Sequence, residues 1–157
     1  MGCVTAVAIV PFRVDHAEAY YQLNRLWLDE HALYESADEP YLVDPLGTIV
    51  NPGGAVFVAE HQGSVVGTAA VAPYGTDTME LLKLTVEPGM RGSGLGRRLV
   101  EACMAHARSD GARRLVLVSN SKLQAALRLY ERMGFVHAPL PPDVPYATAD
   151  VFMTLDL

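Results

Sequence analysis

One stretch constrains the fold more than any other: "VEPGMRGSGLGRRLVEACMAHA", residues 86–107. Its first thirteen positions hold four glycines and three arginines. Upstream, "MELLKLTV" (79–86) predicts a strand, and Pro88, which cannot donate to a ladder, stops it. Downstream, Leu95, Leu99, Cys103 and Ala107 recur at helical spacing, predicting a helix over 94–109 that Gly111 ends. A glycine-rich turn between strand and helix suits an anion. The helix opening presents backbone N–H groups without internal partners and roughly half a positive charge. Glycines let that backbone approach a phosphate closely and adopt positive φ. Arg91, Arg97 and Arg98 can add charge or bidentate contacts.

Around this turn the chain alternates strands with helices. Residues 3–12 read as a strand, and Asp15 as the cap of a helix to about Tyr34, with Tyr20, Leu23, Trp27 and His31 as its stripe. "ESADEPYLVDPLGTIVNPGG" (35–54) is a long connection with one short helix near Pro45, and its apolar residues argue for order. "AVFVAEHQGSVVGTAAVAPY" predicts two strands around a turn at Gln62-Gly63. "RRLVLVSN" suits a sheet interior. "SKLQ" (121–124) matches a capping box, and Gly134-Phe135 a Schellman stop after Met133. "DVFMTLDL" gives a last strand, alternating Val151, Met153, Leu155 and Leu157. The order predicts a single mixed α/β layer.

The 157 residues, half of them apolar, suit one domain (1–157) with a proper core. Net charge is −6, so general attraction to nucleic acid or anionic membrane is not expected, and an anion site must be a local positive island. Cys3 and Cys103 form no C-x-x-C, and the five histidines lack H-E-x-x-H spacing; neither a disulfide framework nor a metal site is predicted. "MGCVTAVAIVPF" lacks a basic n-region and its apolar run is too short to span a bilayer. Gly2 sits where a myristoylation signal has glycine, but Ala6 takes its Ser/Thr position. The expected setting is reducing and cytoplasmic, and a homodimer stays open.

Three phosphate-binding motifs compete for the turn. A P-loop needs G-x-x-x-x-G-K-[ST], and no lysine lies between Lys83 and Lys122. A dinucleotide fingerprint needs G-x-G-x-x-G, and glycines 89, 92, 94 and 96 give no such window. R-x-x-G-x-G fits, as Arg91, Gly94 and Gly96. Here the sequence resembles the GNAT superfamily of acetyl-CoA-dependent N-acetyltransferases, whose signature is a strand ending near V-x-P, then [RQ]-x-x-G-x-[GA], then a helix. "SNSKLQAALRLYERMGF" (119–135) is similar to the family's second block, with an asparagine after a strand and LYE-x-x-GF closing the next helix. "ELLKLTV" also looks like family sequence, so the likeness covers residues 80–135 closely.

The resemblance implies an α/β fold with a central, mostly antiparallel sheet, a splayed parallel strand pair and flanking helices. It implies acetyl transfer from acetyl-CoA, the cosubstrate, to a primary amine of a small molecule or peptide by direct attack on the thioester, with no metal. The alternative is a non-catalytic acyl-CoA-binding regulatory module on the same fold. Carried onto this chain, the backbone of Arg91, Gly92, Ser93, Gly94, Leu95 and Gly96 holds the pyrophosphate, with Arg97 adding charge. The pantetheine arm pairs with the strand end Leu84, Thr85 and Val86, whose last amide faces the thioester oxygen. Asn120 bonds the same arm, and Tyr130 is the general acid toward the leaving sulfur. Glu80, in the strand leading to the thioester, is the candidate general base, directly or through a water. Each side chain also has a structural reading: Asn120 as a helix cap, Tyr130 as a core aromatic beside Leu123 and Leu127, Glu80 on a wet strand face.

The acceptor is expected between the 35–54 segment and the tail "PLPPDVPYATAD" (139–150). There Glu35, Asp38 and Glu39 are candidates to attract a cationic amine, and Tyr146 to line its pocket.

Overall fold

The computed structural model describes residues 6–157. Among these described residues seven strands form: β1 (Ala8–Pro11), β2 (Ala55–His61), β3 (Ser64–Gly75), β4 (Thr78–Val86), β5 (Arg114–Ser119), β6 (Val136–Ala138) and β7 (Val151–Asp156). They make one sheet in the order β1-β2-β3-β4-β5-β7-β6. Every neighbouring pair is antiparallel except β4 with β5. That parallel ladder joins only Thr78–Glu80 to Arg114–Val116; beyond it the two strands run on without pairing. The expected splayed pair in a mostly antiparallel sheet is therefore present.

Local chemistry explains the main elements. The β2–β3 hairpin turns through Gln62 (φ 51°) and Gly63 (φ 79°), the two left-handed residues that match strand twist. Residues 66–71 of β3 are buried without interruption because helices cover both faces of the sheet there. Helix α1 (Ala17–Glu30) covers one face, and a short helix α2 (Glu39–Val43) packs beside it. Helix α3 (Leu95–Ser109) covers the other, and its stripe Leu95, Leu99, Cys103 and Ala107 is buried with Ala69 and Val71 of β3. Ala70, pointing the opposite way, packs with Tyr20 of α1 and Ile49. Truncating Leu99, fully buried here, is expected to cost about 2–5 kcal/mol. Helix α4 (Gln124–Arg132) ends in the predicted Schellman stop. Gly134 takes φ 102°, the Phe135 N–H donates to the Tyr130 carbonyl at 3.0 Å, and Gly134 donates to Glu131 at 3.1 Å.

One local expectation falls outside the described residues, and several others fail for a physical reason. Residues 3–5 of the predicted first strand, with Cys3 and Gly2, lie outside the described residues. Asp15 does not cap α1; it sits in a 3₁₀ turn, paired with the Arg13 guanidinium at 3.1 Å. The buried stripe of α1 is Tyr20, Asn24 and Leu28, while Leu23, Trp27 and His31 lie on its flank. Asn24 is buried within that stripe, its amide donating to the Tyr20 carbonyl and to Thr68 Oγ1. The "SKLQ" box does not form, because the Ser121 hydroxyl donates to Asp150 at 2.7 Å and α4 starts only at Gln124. The 35–54 connection is more helical than expected, with a 3₁₀ turn (Ser36–Asp38), α2 and a wider helical turn (Leu46–Val50). On β7, Phe152 is as buried as Val151, because it packs on the far face toward Tyr74.

Candidate active site

The site begins with an irregularity in β4. Ala70 pairs with Leu82 and Thr68 with Thr85, so Lys83 and Leu84 together lie opposite Ala69. Lys83 takes φ 55° in this bulge, a conformation that costs a non-glycine residue roughly 1–2 kcal/mol. Buried hydrogen bonds hold it. The Thr68 hydroxyl donates to the Lys83 carbonyl at 2.7 Å, and the Asn24 amide donates to Thr68 Oγ1 at 3.1 Å. Thr85 Oγ1 donates to Asn24 Oδ1 at 3.0 Å, and Asn24 donates again to the Tyr20 carbonyl. Thr85 thus spends its side chain on α1, leaving only its backbone for a ligand. Sequence reasoning missed Asn24 and Thr68, because nothing local marks a polar residue whose partners lie on other elements.

Past β4 the chain opens a donor-rich turn. Gly92 and Gly94 take φ 79° and 83°, with open space where a Cβ would stand. Gly94 caps α3 with no side-chain bond. Beyond Arg91, the next amide to find a partner is Arg98, bonded to the Gly94 carbonyl at 3.2 Å. The amides of Gly92 through Arg97 have no partner among the described residues. Gly96 is needed for packing, since a Cβ there would meet Leu129 at 3.3 Å. Leu95 is buried in the core, and the Ser93 hydroxyl donates to the Met90 carbonyl.

Of the three arginines expected to add charge for an anion, two are engaged within the chain. Arg91 forms two 3.2 Å bonds to Glu30 and a third from Nε to the Val86 carbonyl; it holds the Glu30 carboxyl below its usual pKa. Arg98 donates to the Val7 carbonyl. Arg97 has only a 3.8 Å exposed pair with Glu101, an interaction weak enough to surrender. The Glu87 N–H donates to the Val66 carbonyl at 2.9 Å, which makes the next pair, Val86 and Gly67, non-bonded across the ladder. The Val86 amide therefore points away from β3, toward the splay.

Beneath the splay lies a cavity of about 370 Å³. Leu82, Leu84 and Thr85 line it from β4, Leu117 and Asn120 from the end of β5, and Tyr130 from α4. Tyr130 packs edge-on against Phe135 at 5.7 Å, and its hydroxyl has no hydrogen-bond partner among the described residues. Burial pushes its phenol pKa up. Glu80 also lines the cavity without a hydrogen-bond partner; burial raises its carboxyl pKa, with Lys83 pulling the other way. Asn120 donates to the Thr148 carbonyl at 2.6 Å and accepts from the Lys122 N–H at 2.8 Å. It straps the tail to β5 and does not cap α4.

The three acidic residues expected to attract an amine are all engaged within the chain. Glu35 accepts from the Ala147 and Thr148 amides at 2.8 and 3.0 Å and from the Thr148 hydroxyl at 2.6 Å. Asp38 forms a buried pair with Lys83 at 2.6 Å. Glu39 accepts the hydroxyls of Tyr21 and Tyr34. The 35–54 segment and the tail nevertheless both line the cavity. Asp38 and Tyr41 line it from the first, Asp143 and Tyr146 from the second.

A splayed parallel pair, a bulged β4 and an open glycine turn at the mouth of α3 now stand together. Residues 14–135 match the acetyltransferase (GNAT) family. The chain belongs to the GNAT acetyltransferase family. It is 37% identical over 107 residues to the uncharacterized N-acetyltransferase YjgM of Escherichia coli (strain K12), covering 66% of this chain and 64% of YjgM. This GNAT chain thus spans just under two thirds of that relative's length. Its fold superposes on a GNAT acetyltransferase of Staphylococcus aureus Mu50 with a TM-score of 0.87 at 19% identity, over 96% of this chain and 99% of that one. It also matches yncA of Salmonella typhimurium, solved with its cofactor acetyl-CoA, with a TM-score of 0.80 at 24% identity, over 96% and 94%. Among the described residues, no helix of the GNAT chain is long and apolar enough to cross a membrane.

Proposed function

We propose that this GNAT chain is an N-acetyltransferase that uses acetyl-CoA as cosubstrate and a primary amine of a small molecule or peptide as acceptor. One observation carries the reading. The unpartnered amides of Gly92 through Arg97 open beside the splay, and the cavity under that splay is lined by Glu80 and Tyr130, ionisable side chains with no hydrogen-bond partners among the described residues. Those amides fit a diphosphate: they are consecutive, and at Gly92 and Gly94 nothing crowds the backbone. Leu84, Thr85 and Val86 offer the strand edge for the pantetheine arm. When bound, acetyl-CoA supplies the acetyl thioester.

The remaining work falls to the chain's own groups. A lysine-like amine with pKa about 10.4 is mostly ammonium at pH 7, and freeing its lone pair costs roughly 4.6 kcal/mol. Glu80 takes that proton, directly or through a water, and its raised pKa makes it a better base than an ordinary carboxylate. The Val86 amide meets the negative charge that develops on the thioester oxygen. Tyr130 donates to the departing sulfur. A reference tyrosine lies about 1.5 pKa units above a thiol, so full transfer is uphill by roughly 2 kcal/mol even before burial adds to it. Tyr130 therefore works mainly as a strong hydrogen-bond donor that stays protonated. As the N–C bond forms and the C–S bond breaks, the ammonium nitrogen gives up two protons. One is balanced by the proton the sulfur gains, and the other is released to solvent.

The test is free-thiol release from acetyl-CoA across a library of amines. Release that depends on one amine class supports the reading. Tight acetyl-CoA binding with no amine-dependent release would leave a regulatory acyl-CoA-binding module in its place.

A further inference from the structure

The acceptor end holds an ammonium that acetyl transfer itself does not use. The Lys83 side chain is 8% exposed and donates to Asp38, 4% exposed, at 2.6 Å. An ammonium carries three N–H donors, and the other two have no acceptor among the described residues. Tyr41 and Tyr146 offer it only ring faces, at 5.8 and 5.7 Å. The second oxygen of Asp38 is occupied, accepting the Glu35 N–H at 2.9 Å. Lys83 is therefore held by one carboxylate oxygen, yet short of acceptors, in the same cavity where Glu80 has no donor. Stability alone does not call for this arrangement, because buried ion pairs seldom outperform apolar residues of the same size. The ammonium is also mounted on a left-handed backbone that a buried network keeps in place.

We propose that the acceptor is a zwitterion, as amino acids are: its amine seats on Glu80, and its carboxylate seats on the free N–H donors of Lys83. This rests on the acetyl-transfer reading above and names its substrate class. Asp38 is a positioning residue in this scheme; it holds the ammonium in place and leaves two donors exposed to the cavity. Tyr41 and Tyr146 flank the contact and exclude water, which strengthens a charge-assisted bond. Glu80 and Lys83 together select for sign and for spacing, so an amine lacking the carboxylate leaves a buried ammonium unsatisfied.

The experiment uses matched acceptor pairs, phenylalanine with phenethylamine and leucine with isoamylamine, and follows both thiol release and calorimetric binding with coenzyme A present. The amino acid of each pair is expected to be favoured by about 10–100-fold in kcat/KM, the range of a charge-assisted hydrogen bond. The double variant Lys83→Met with Asp38→Asn, which leaves no lone buried charge, is expected to erase that preference by raising KM for the amino acid. KM for the plain amine should fall, because that amine no longer leaves a buried ammonium unsatisfied. Equal use of both members, or preference for the plain amine, overturns the inference on the wild-type protein without need of a variant. If no acceptor releases thiol, acetyl transfer to these amines fails, and binding decides this inference separately. Carboxylate-dependent binding lost in the double variant upholds it, and binding indifferent to Lys83 overturns it.

Discussion

The two ends of the cavity are built by opposite means. At the cofactor end the donors are consecutive backbone amides, Gly92 through Arg97, shaped by residues within a few positions of one another. At the acceptor end the groups are side chains joined across the sequence: Lys83 to Asp38 over 45 residues, and Glu35 to Ala147 over 112. The cofactor end should therefore tolerate side-chain changes and fail when backbone shape or access changes. The acceptor end should fail one side chain at a time.

The largest effect tests the first half of that contrast. Gly94→Glu is expected to abolish acetyl-CoA binding by calorimetry, since it sets bulk and negative charge in open space at the amide run. Gly94→Asn, which tolerates the observed φ of 83°, should keep most of the affinity. Full binding by Gly94→Glu would mean that the diphosphate lies elsewhere.

Next comes the base. Glu80→Gln is expected to lower kcat by about 10²-fold or more. In the wild type the carboxylate form is required, and burial raises its pKa, so kcat/KM should fall as pH drops through a value above the usual 4.5. That acid limb should vanish in Glu80→Gln. A limb that persists unchanged would assign the proton to another group. Tyr130→Phe should follow, with kcat reduced about tenfold or more and acetyl-CoA affinity little changed. Loss of affinity with intact turnover would make Tyr130 a packing residue only.

The smallest effect concerns the strap. Glu35→Gln keeps one acceptor oxygen but loses the charge that holds the Ala147 and Thr148 amides. Acceptor KM should rise about threefold to tenfold, within the range of a weakened charge-assisted bond, with acetyl-CoA affinity untouched. A change in acetyl-CoA affinity alone would erase the distinction between the two ends.

The same contrast explains what the sequence disclosed. Pro88, the glycines of the turn, the apolar stripe of α3 and the Gly134 stop act within one or two turns of chain, and each was legible. Tyr130 is singled out by the family resemblance and Glu80 by its place in the strand leading toward the thioester, and both line one cavity. The strand end predicts only a backbone role for Thr85, and its side chain turns out to be committed to Asn24. Arg91 was expected to meet an anion, and Glu30 holds it. Glu35, Asp38 and Glu39 read as free carboxylates, and each has its partners inside the fold. In every such case the deciding partner sits on another element, where neither periodicity nor spacing reaches. The bulge at Lys83 was hidden for the same reason, since a lysine gives no local sign of a left-handed backbone.

The most direct measurement is an amide-resolved NMR titration of the protein with acetyl-CoA. A backbone grip on the diphosphate requires that the N–H signals of Gly92 through Arg97 and Val86 shift together with the ligand and gain protection from hydrogen exchange. Saturation of the protein with those signals unmoved would contradict it.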